Sequence, residues 1–109
     1  MSMTFSGQVV VITGAGAGIG RATALAFAAE GLSVIVADVD VPRAEQTVEL
    51  IRAAGGSAHC VPCDVTRELD VKHLMEQTLL IYGRFDYAFN NAGIEIEQWR
   101  LADGTQDEF

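Results

Sequence analysis

Apolar residues recur along the chain in two alternating periods. Val9-Val10-Val11-Ile12 is an unbroken β-branched run, the pattern of a parallel strand covered on both faces. The alanine-rich segment from Ile19 to Glu30 favours helix, with Leu25 and Phe27 as its large apolar groups and Gly31 as a left-handed stop. A second buried strand, Ser33 to Ala37, runs into Asp38. Pro42 opens the next helix at a first helical position; Ala44, Val48 and Ile51 then fall at i, i+4 and i+7, and Gly55-Gly56 ends it. A short third strand begins at Ala58, reaches Val61 or a little beyond, and leads into Asp64-Val65. Thr66 is the expected cap of a longer helix, with Val71, Leu74, Met75, Thr78, Leu79 and Tyr82 on one stripe and Gly83 at its end. Phe85 to Phe89 is the expected fourth strand, ending in Asn90-Asn91-Ala92-Gly93. Strands alternating with helices through short links imply right-handed crossovers and a parallel sheet with helices on both faces.

Beyond that turn the pattern changes. Glu95, Glu97, Trp99 and Arg100 read as a mobile surface loop, or as the border of a substrate cleft. Thr105-Gln106-Asp107-Glu108 has the form of a capping box, which announces a helix, although Phe109 is reached before any helical body follows. A polar tail with a chance match is the other reading.

Composition narrows the class. At 109 residues, half of them hydrophobic and with a mean hydropathy of +0.24, the chain suits one domain, residues 1–109, with a core of its own. Seven Lys and Arg against 15 Asp and Glu give a net charge of −8, the opposite of a basic nucleic-acid binder. No stretch approaches the ~18 apolar residues of a membrane span. Met1 to Gln8 lacks the cationic start and apolar run of a signal peptide, so a cytoplasmic protein is expected.

Cys60 and Cys63 form Cys-Val-Pro-Cys, a spacing shared by redox dithiols and half zinc sites. Redox pairs sit at a helix start, where the dipole lowers the thiol pKa, whereas these lie in a β-type run. A closed zinc site wants four ligands, and the other candidates are His59, on the opposite strand face from Cys60, and His73 on a helix. Two reduced, partly buried thiols and no metal are expected.

The chemistry-bearing residues lie at the carboxyl ends of the strands. Thr13-Gly14-Ala15-Gly16-Ala17-Gly18-Ile19-Gly20 joins the first strand to the first helix. The G-x-G-x-x-G fingerprint is not matched, because its third glycine would fall at Ile19. A turn of this kind nevertheless receives anionic phosphate: helix-terminal amides point at the ligand, peptide dipoles add positive charge, and glycines remove side chains that would hold an anion off. A tight structural turn without a ligand uses glycines too.

Asp38 stands about 20 residues past the glycines, where an acid can accept hydrogen bonds from an adenosine ribose. A 2′-phosphate would meet like-charge repulsion there, which favours NAD over NADP. Ala17 supplies no offsetting cation, although Arg43 can approach. Helix capping or simple solvation is the alternative role for Asp38. Asp64 and Val65 occupy the same edge after the third strand, suited to an adenine amino group and ring face, or to a turn acid and a core valine. Asn90 and Asn91 offer donors and acceptors after the fourth strand, and Ala92-Gly93 permits close approach of a cofactor.

Taken together, Thr-Gly-x-x-x-Gly-x-Gly, the acid after the second strand, Asp-Val after the third and Asn-Asn-Ala-Gly after the fourth resemble the short-chain dehydrogenase/reductase family over the entire chain. The resemblance implies a doubly wound, Rossmann-type α/β fold, here the incomplete N-terminal portion with strands in the order 3-2-1-4. It implies that Gly14, Gly16, Ala17, Gly18, Ile19 and Gly20 cradle the pyrophosphate and Asp38 holds the adenosine ribose. Asp64 and Val65 would contact adenine, and Asn90, Asn91, Ala92 and Gly93 would line the nicotinamide ribose side. Hydride transfer between a nicotinamide and a small alcohol or carbonyl, commonly in a homo-oligomer, follows from the same resemblance. So does a departure. The family's catalytic Ser and Tyr-x-x-x-Lys have no counterpart: Tyr82 is followed four residues later by Asp86, Tyr87 by Asn91, and Lys72 is the only lysine. A cofactor-binding portion of a longer dehydrogenase, inert alone, is therefore expected, with an uncovered fourth-strand edge inviting association, disorder near 94 to 109, or a completing fragment. A non-catalytic nucleotide-binding module and an interaction protein built on that edge are the alternatives.

Overall fold

The computed structural model describes residues 7–91 and 95–97. In chain order the elements are β1 (Val9–Thr13), α1 (Gly18–Ala29), β2 (Ser33–Asp38), α2 (Val41–Ala53), β3 (Ala58–Pro62), α3 (Glu68–Tyr82), β4 (Tyr87–Asn90) and β5 (Glu95–Glu97). The described strands make one sheet in the order β3-β2-β1-β4-β5. β1 is central, with Val11 aligned to Ile35 of β2 on one side and to Ala88 of β4 on the other, all parallel. β3 extends the sheet in parallel beyond β2, Ile35 lying opposite His59. The doubly wound 3-2-1-4 arrangement is thus present.

Strand alternation sorts the core into two halves. Val10, Ile12, Val34, Val36 and Ala58 meet Ala24 of α1 and Ala44, Val48 and Ile51 of α2. Val11, Ile35, Ala37, Val61 and Ala88 meet Leu74 of α3 on the other face. Val9 to Ile12 are at most 1% exposed, and each such side chain contributes about 1.5–3 kcal/mol by leaving water. Burial on both faces explains why β1 and β2 read as unbroken apolar runs.

Four local expectations are corrected. β4 is not an uncovered edge: β5 pairs with it antiparallel, Phe89 opposite Ile96, so the chain itself covers β4's outward backbone groups. Glu95 and Glu97 consequently belong to a strand and not to a loop. Thr66 does not cap α3; that position falls to Arg67, without a side-chain cap bond, because the Thr66 hydroxyl donates to Asp64 instead. Leu79 is 42% exposed, since it lies about 140° around the helix from Leu74, whereas Ile81, about 20° away, packs on the core in its place. Trp99, Arg100 and the Thr105–Glu108 box lie outside the described residues.

β4 also begins later than expected, at Tyr87, because a carboxylate intervenes. Val9 donates its amide to Asp86 Oδ2 at 2.8 Å, and Arg84 forks onto both oxygens of the same group at 2.8 and 2.7 Å. Asp86 returns its own amide to the Val9 carbonyl. The first register pair is therefore Val10 with Tyr87.

Both cysteines are free thiols, as expected, and they belong to apolar clusters on opposite sides of the sheet, Cys60 with the α1/α2 side and Cys63 with the α3 side. Among the described residues no group of three metal-ligating side chains gathers around either thiol. Burial, reinforced by Asp70 and Asp64, pushes the Cys63 thiol up from 9.0 to about 11. The unfolded thiol ionises first, so this contribution to stability is whole below pH 9 and is lost as the pH rises through 11. In a Cys60→Ser background at pH 8, folded protein should resist maleimide while unfolded protein reacts; equal rates in both states would contradict the burial.

Candidate dinucleotide site at the carboxyl edge of the sheet

Four strand ends converge on one edge, and the glycine loop is folded against three of them. The reason is visible in what a side chain would meet. A Cβ on Gly20 would run into the Gly14 carbonyl oxygen, and one on Gly16 would stand 2.8 Å from Asp38 Oδ2 and 3.0 Å from the Arg43 Cβ. Only bare Cα positions let the loop turn back on itself at the start of α1 while touching β2 and α2.

The start of α1 is open. Ala17, extended at φ −159°, occupies the cap position with no side-chain cap bond, and no acidic residue lies in the first turn. The first backbone bond of the helix runs from the Arg21 amide to the Ala17 carbonyl. Ile19 is exposed at this end while Gly20 is buried. Such a terminus presents backbone donors and the positive end of the helix dipole without a built-in anion.

Asp38 at the end of β2 is bonded to the loop itself. Its Oδ2 accepts the Gly16 amide at 2.8 Å, and its Oδ1 accepts the Asp40 amide at 3.0 Å. One bond on each oxygen leaves acceptor capacity on both. Arg43, the cation expected to approach, is paired instead with Asp40, Nε to Oδ2 at 3.6 Å, in an exposed contact. Asp40 also caps α2 by accepting the Arg43 amide.

β4 meets the loop through Thr13. The Thr13 hydroxyl donates to Asn90 Oδ1 at 2.9 Å and accepts the Asn91 amide at 3.1 Å. Asn91 then donates from Nδ2 to the Gly14 carbonyl at 3.3 Å. The two asparagines and the glycine loop are in this way one hydrogen-bonded unit. Ala92 and Gly93 lie outside the described residues.

Asp64 is bonded away from that unit, whereas Val65 shares a cavity wall with its Thr13 and Asn90. Asp64 Oδ1 accepts both the amide and the hydroxyl of Thr66, at 3.0 and 2.6 Å, and these bonds hold its carboxyl below the usual range. The Asp64 amide is tied to Asp70 of α3. Val65 packs on the α3-side cluster and borders an apolar cavity of about 140 Å³ with Val11, Val71, Ala88 and Asn90. The link to Asp38 is through backbone, the Cys63 amide donating to the Asp38 carbonyl at 3.2 Å.

Two contributors escaped the sequence reading. Thr47 of α2 is fully buried and its hydroxyl donates to the Ala15 carbonyl at 2.8 Å; Arg21 of α1 donates from Nε to that hydroxyl, also at 2.8 Å. The signal was present in the helical spacing, since Thr47 lies within the buried stripe of Ala44, Val48 and Ile51.

Comparison with known proteins identifies the family and the fold. The family model for short chain dehydrogenases matches residues 8–109. A 2,5-dichloro-2,5-cyclohexadiene-1,4-diol dehydrogenase of Sphingobium indicum is 42% identical over 104 residues, 95% of this chain but 40% of the relative. A hydroxysteroid dehydrogenase structure from Escherichia coli superposes with a TM-score of 0.78 at 37% identity, over 79% of this chain and 37% of that one. A short chain dehydrogenase/reductase from Burkholderia phymatum, solved in complex with NAD, gives 0.76 at 39% identity, over 81% and 31% respectively. This chain, spanning about two fifths of the length of such curated relatives, belongs to the short-chain dehydrogenase/reductase family of oxidoreductases.

Proposed function

We propose that the chain is the dinucleotide-binding portion of an oxidoreductase that interconverts a small-molecule alcohol and a carbonyl, and that its cofactor is NAD. The observation that carries this reading is the bond between Gly16 and Asp38: a carboxylate held against the glycine loop by the loop's own amide. The amides of Gly18, Ile19 and Gly20 at the open start of α1 would receive the pyrophosphate. Asp38, with acceptor capacity left on each oxygen, would take the adenosine ribose hydroxyls, and a 2′-phosphate would be repelled. Asp64 and Val65 would meet adenine, and Asn90, Asn91, Ala92 and Gly93 the nicotinamide side. The complex of the Burkholderia relative with NAD supports the assignment. When bound, the nicotinamide supplies or takes hydride, while proton transfer needs an acid–base pair. No Tyr-x-x-x-Lys occurs in these 109 residues, so the chain alone binds without turnover. The same reading places the complete protein in the cytoplasm as a homo-oligomer without nucleic-acid or membrane partners; among the described residues no helix is long and apolar enough to cross a membrane.

Calorimetric titration with NAD and NADP tests it. NAD should bind at least about tenfold more tightly, the difference expected from one repulsive charge contact of ~1.4 kcal/mol. Tighter binding of NADP, or saturating concentrations of both without heat or competition, would overturn it.

A further inference from the structure

The Ala15–Gly16 peptide is gripped at both ends. Its carbonyl accepts the Thr47 hydroxyl at 2.8 Å, and its amide donates to Asp38 Oδ2 at 2.8 Å. In a trans peptide these groups point in opposite directions within one plane, so α2 and β2 hold the plane from opposite sides. From these contacts we infer that Thr47 is a specificity-positioning residue: by fixing the orientation of this peptide it holds the Asp38 carboxylate where it discriminates between dinucleotides. This inference rests on the dinucleotide reading above.

Thr47 is suited to the task by more than proximity. It is fully buried, so its hydroxyl cannot exchange its partner for water. A threonine hydroxyl has one proton, and two carbonyls compete for it, Ala15 at 2.8 Å and Arg43 at 3.3 Å, the latter one helical turn back. Arg21 decides between them. Its Nε occupies the hydroxyl's acceptor side at 2.8 Å, while its NH2 group supplies the Arg43 carbonyl at 3.1 Å and reaches Gln46 Oε1 at 3.2 Å. With the Arg43 carbonyl served by the guanidinium, the Thr47 proton is directed to Ala15. Asp38 in turn receives the Gly16 amide on the oxygen facing the loop and the Asp40 amide on the other, which sets the carboxylate plane. Loss of the Thr47 hydroxyl lets the peptide rotate, and the carboxylate loses one of its two fixed donors.

The test compares Thr47→Val, nearly isosteric but without a hydroxyl, with Thr47→Ser, which retains it. Thr47→Val should raise the Kd for NAD about tenfold or more and that for NADP less, so that the ratio of the two constants falls by at least about threefold, while Thr47→Ser stays within about twofold of the parent on both. A second readout needs no cofactor: the Gly16 amide should exchange with deuterium about tenfold faster in Thr47→Val than in the parent, relative to core amides of β1. An equal loss of affinity for both dinucleotides, an unchanged ratio, or unchanged Gly16 exchange would reduce Thr47 to a satisfied core threonine and overturn the inference. If the parent binds neither dinucleotide, the functional proposal fails and the positioning role fails with it, whatever the exchange shows. Should Thr47→Val not fold, Arg21→Met removes the guanidinium that directs the hydroxyl and is read by the same ratio and the same amide.

Discussion

Replacing Gly20 with alanine is expected to cost about 3 kcal/mol or more and to abolish dinucleotide binding. The new methyl group would collide with the Gly14 carbonyl, with Gly14 C at 2.7 Å and the Ala15 Cα at 3.0 Å behind it. These atoms are all backbone, so no side chain can rotate away, and overpacking of this kind lies at or above the usual ~1–3 kcal/mol. Against a total stability of about 5–15 kcal/mol, that is a large fraction. Gly18→Ala is the informative control. Gly18 is left-handed at φ +58° but its Cβ would meet nothing within 4 Å, so only the backbone cost of about 1–2 kcal/mol applies. Urea denaturation of the two variants should therefore show a markedly lower midpoint for Gly20→Ala. Equal midpoints would mean that the loop does not fold back upon itself as described.

The second large effect is expected from Asp38→Ala. Two amides lose their acceptor, that of the buried Gly16 and that of the exposed Asp40. Hydrogen bonds to a charged group are worth about 1.5–3 kcal/mol, so the affinity for NAD should fall between about tenfold and 150-fold as the ribose loses the same carboxylate. NADP affinity should hold or rise, because the repulsion goes with the charge, and the preference between the two should collapse. Calorimetric titration of both dinucleotides measures this directly. An unchanged preference would separate Asp38 from cofactor selection and leave it a loop brace alone.

The legible parts of this protein are those in which a local pattern and a tertiary requirement coincide. β1 and β2 are covered on both faces, so their apolar runs needed no further information, and the 3.6-residue spacing of Ala44, Val48 and Ile51 oriented α2 correctly. Gly83, left-handed at φ +76°, ended α3 where its sequence position indicated. The misreadings arose where a side chain had a choice of partner. Thr66 follows an acid two residues back and bonds to it, so it never reaches the helix. Leu79 is apolar enough for the stripe, but its angle around α3 faces it outward. β5 is a three-residue strand whose antiparallel pairing with β4 no periodicity encodes.

In the site, residue types indicated the participants, while their connections had to await the structure. Asp38 was recognisable as an acid at a strand end; that it is wedded to Gly16 was not, because the contact requires β2 and the loop to be juxtaposed. Asn91 and Thr13 looked like turn and strand residues and are the bond between β4 and the glycine loop. Thr47 and Arg21 lie 26 residues apart and meet only because α1 and α2 share a face of the sheet.

The bend from β1 into α1 is proposed to receive an anionic dinucleotide on backbone amides, beside the Asp38 carboxylate. Amide-resolved NMR titration with NAD addresses it residue by residue. Saturable shifts should concentrate at Gly14 to Gly20, with Asp38 and Asn91 following at the same midpoint and little change at the Arg84–Asp86 end of the sheet. Saturable shifts confined to another surface, or none at the glycine loop when NAD is in large excess, would contradict it.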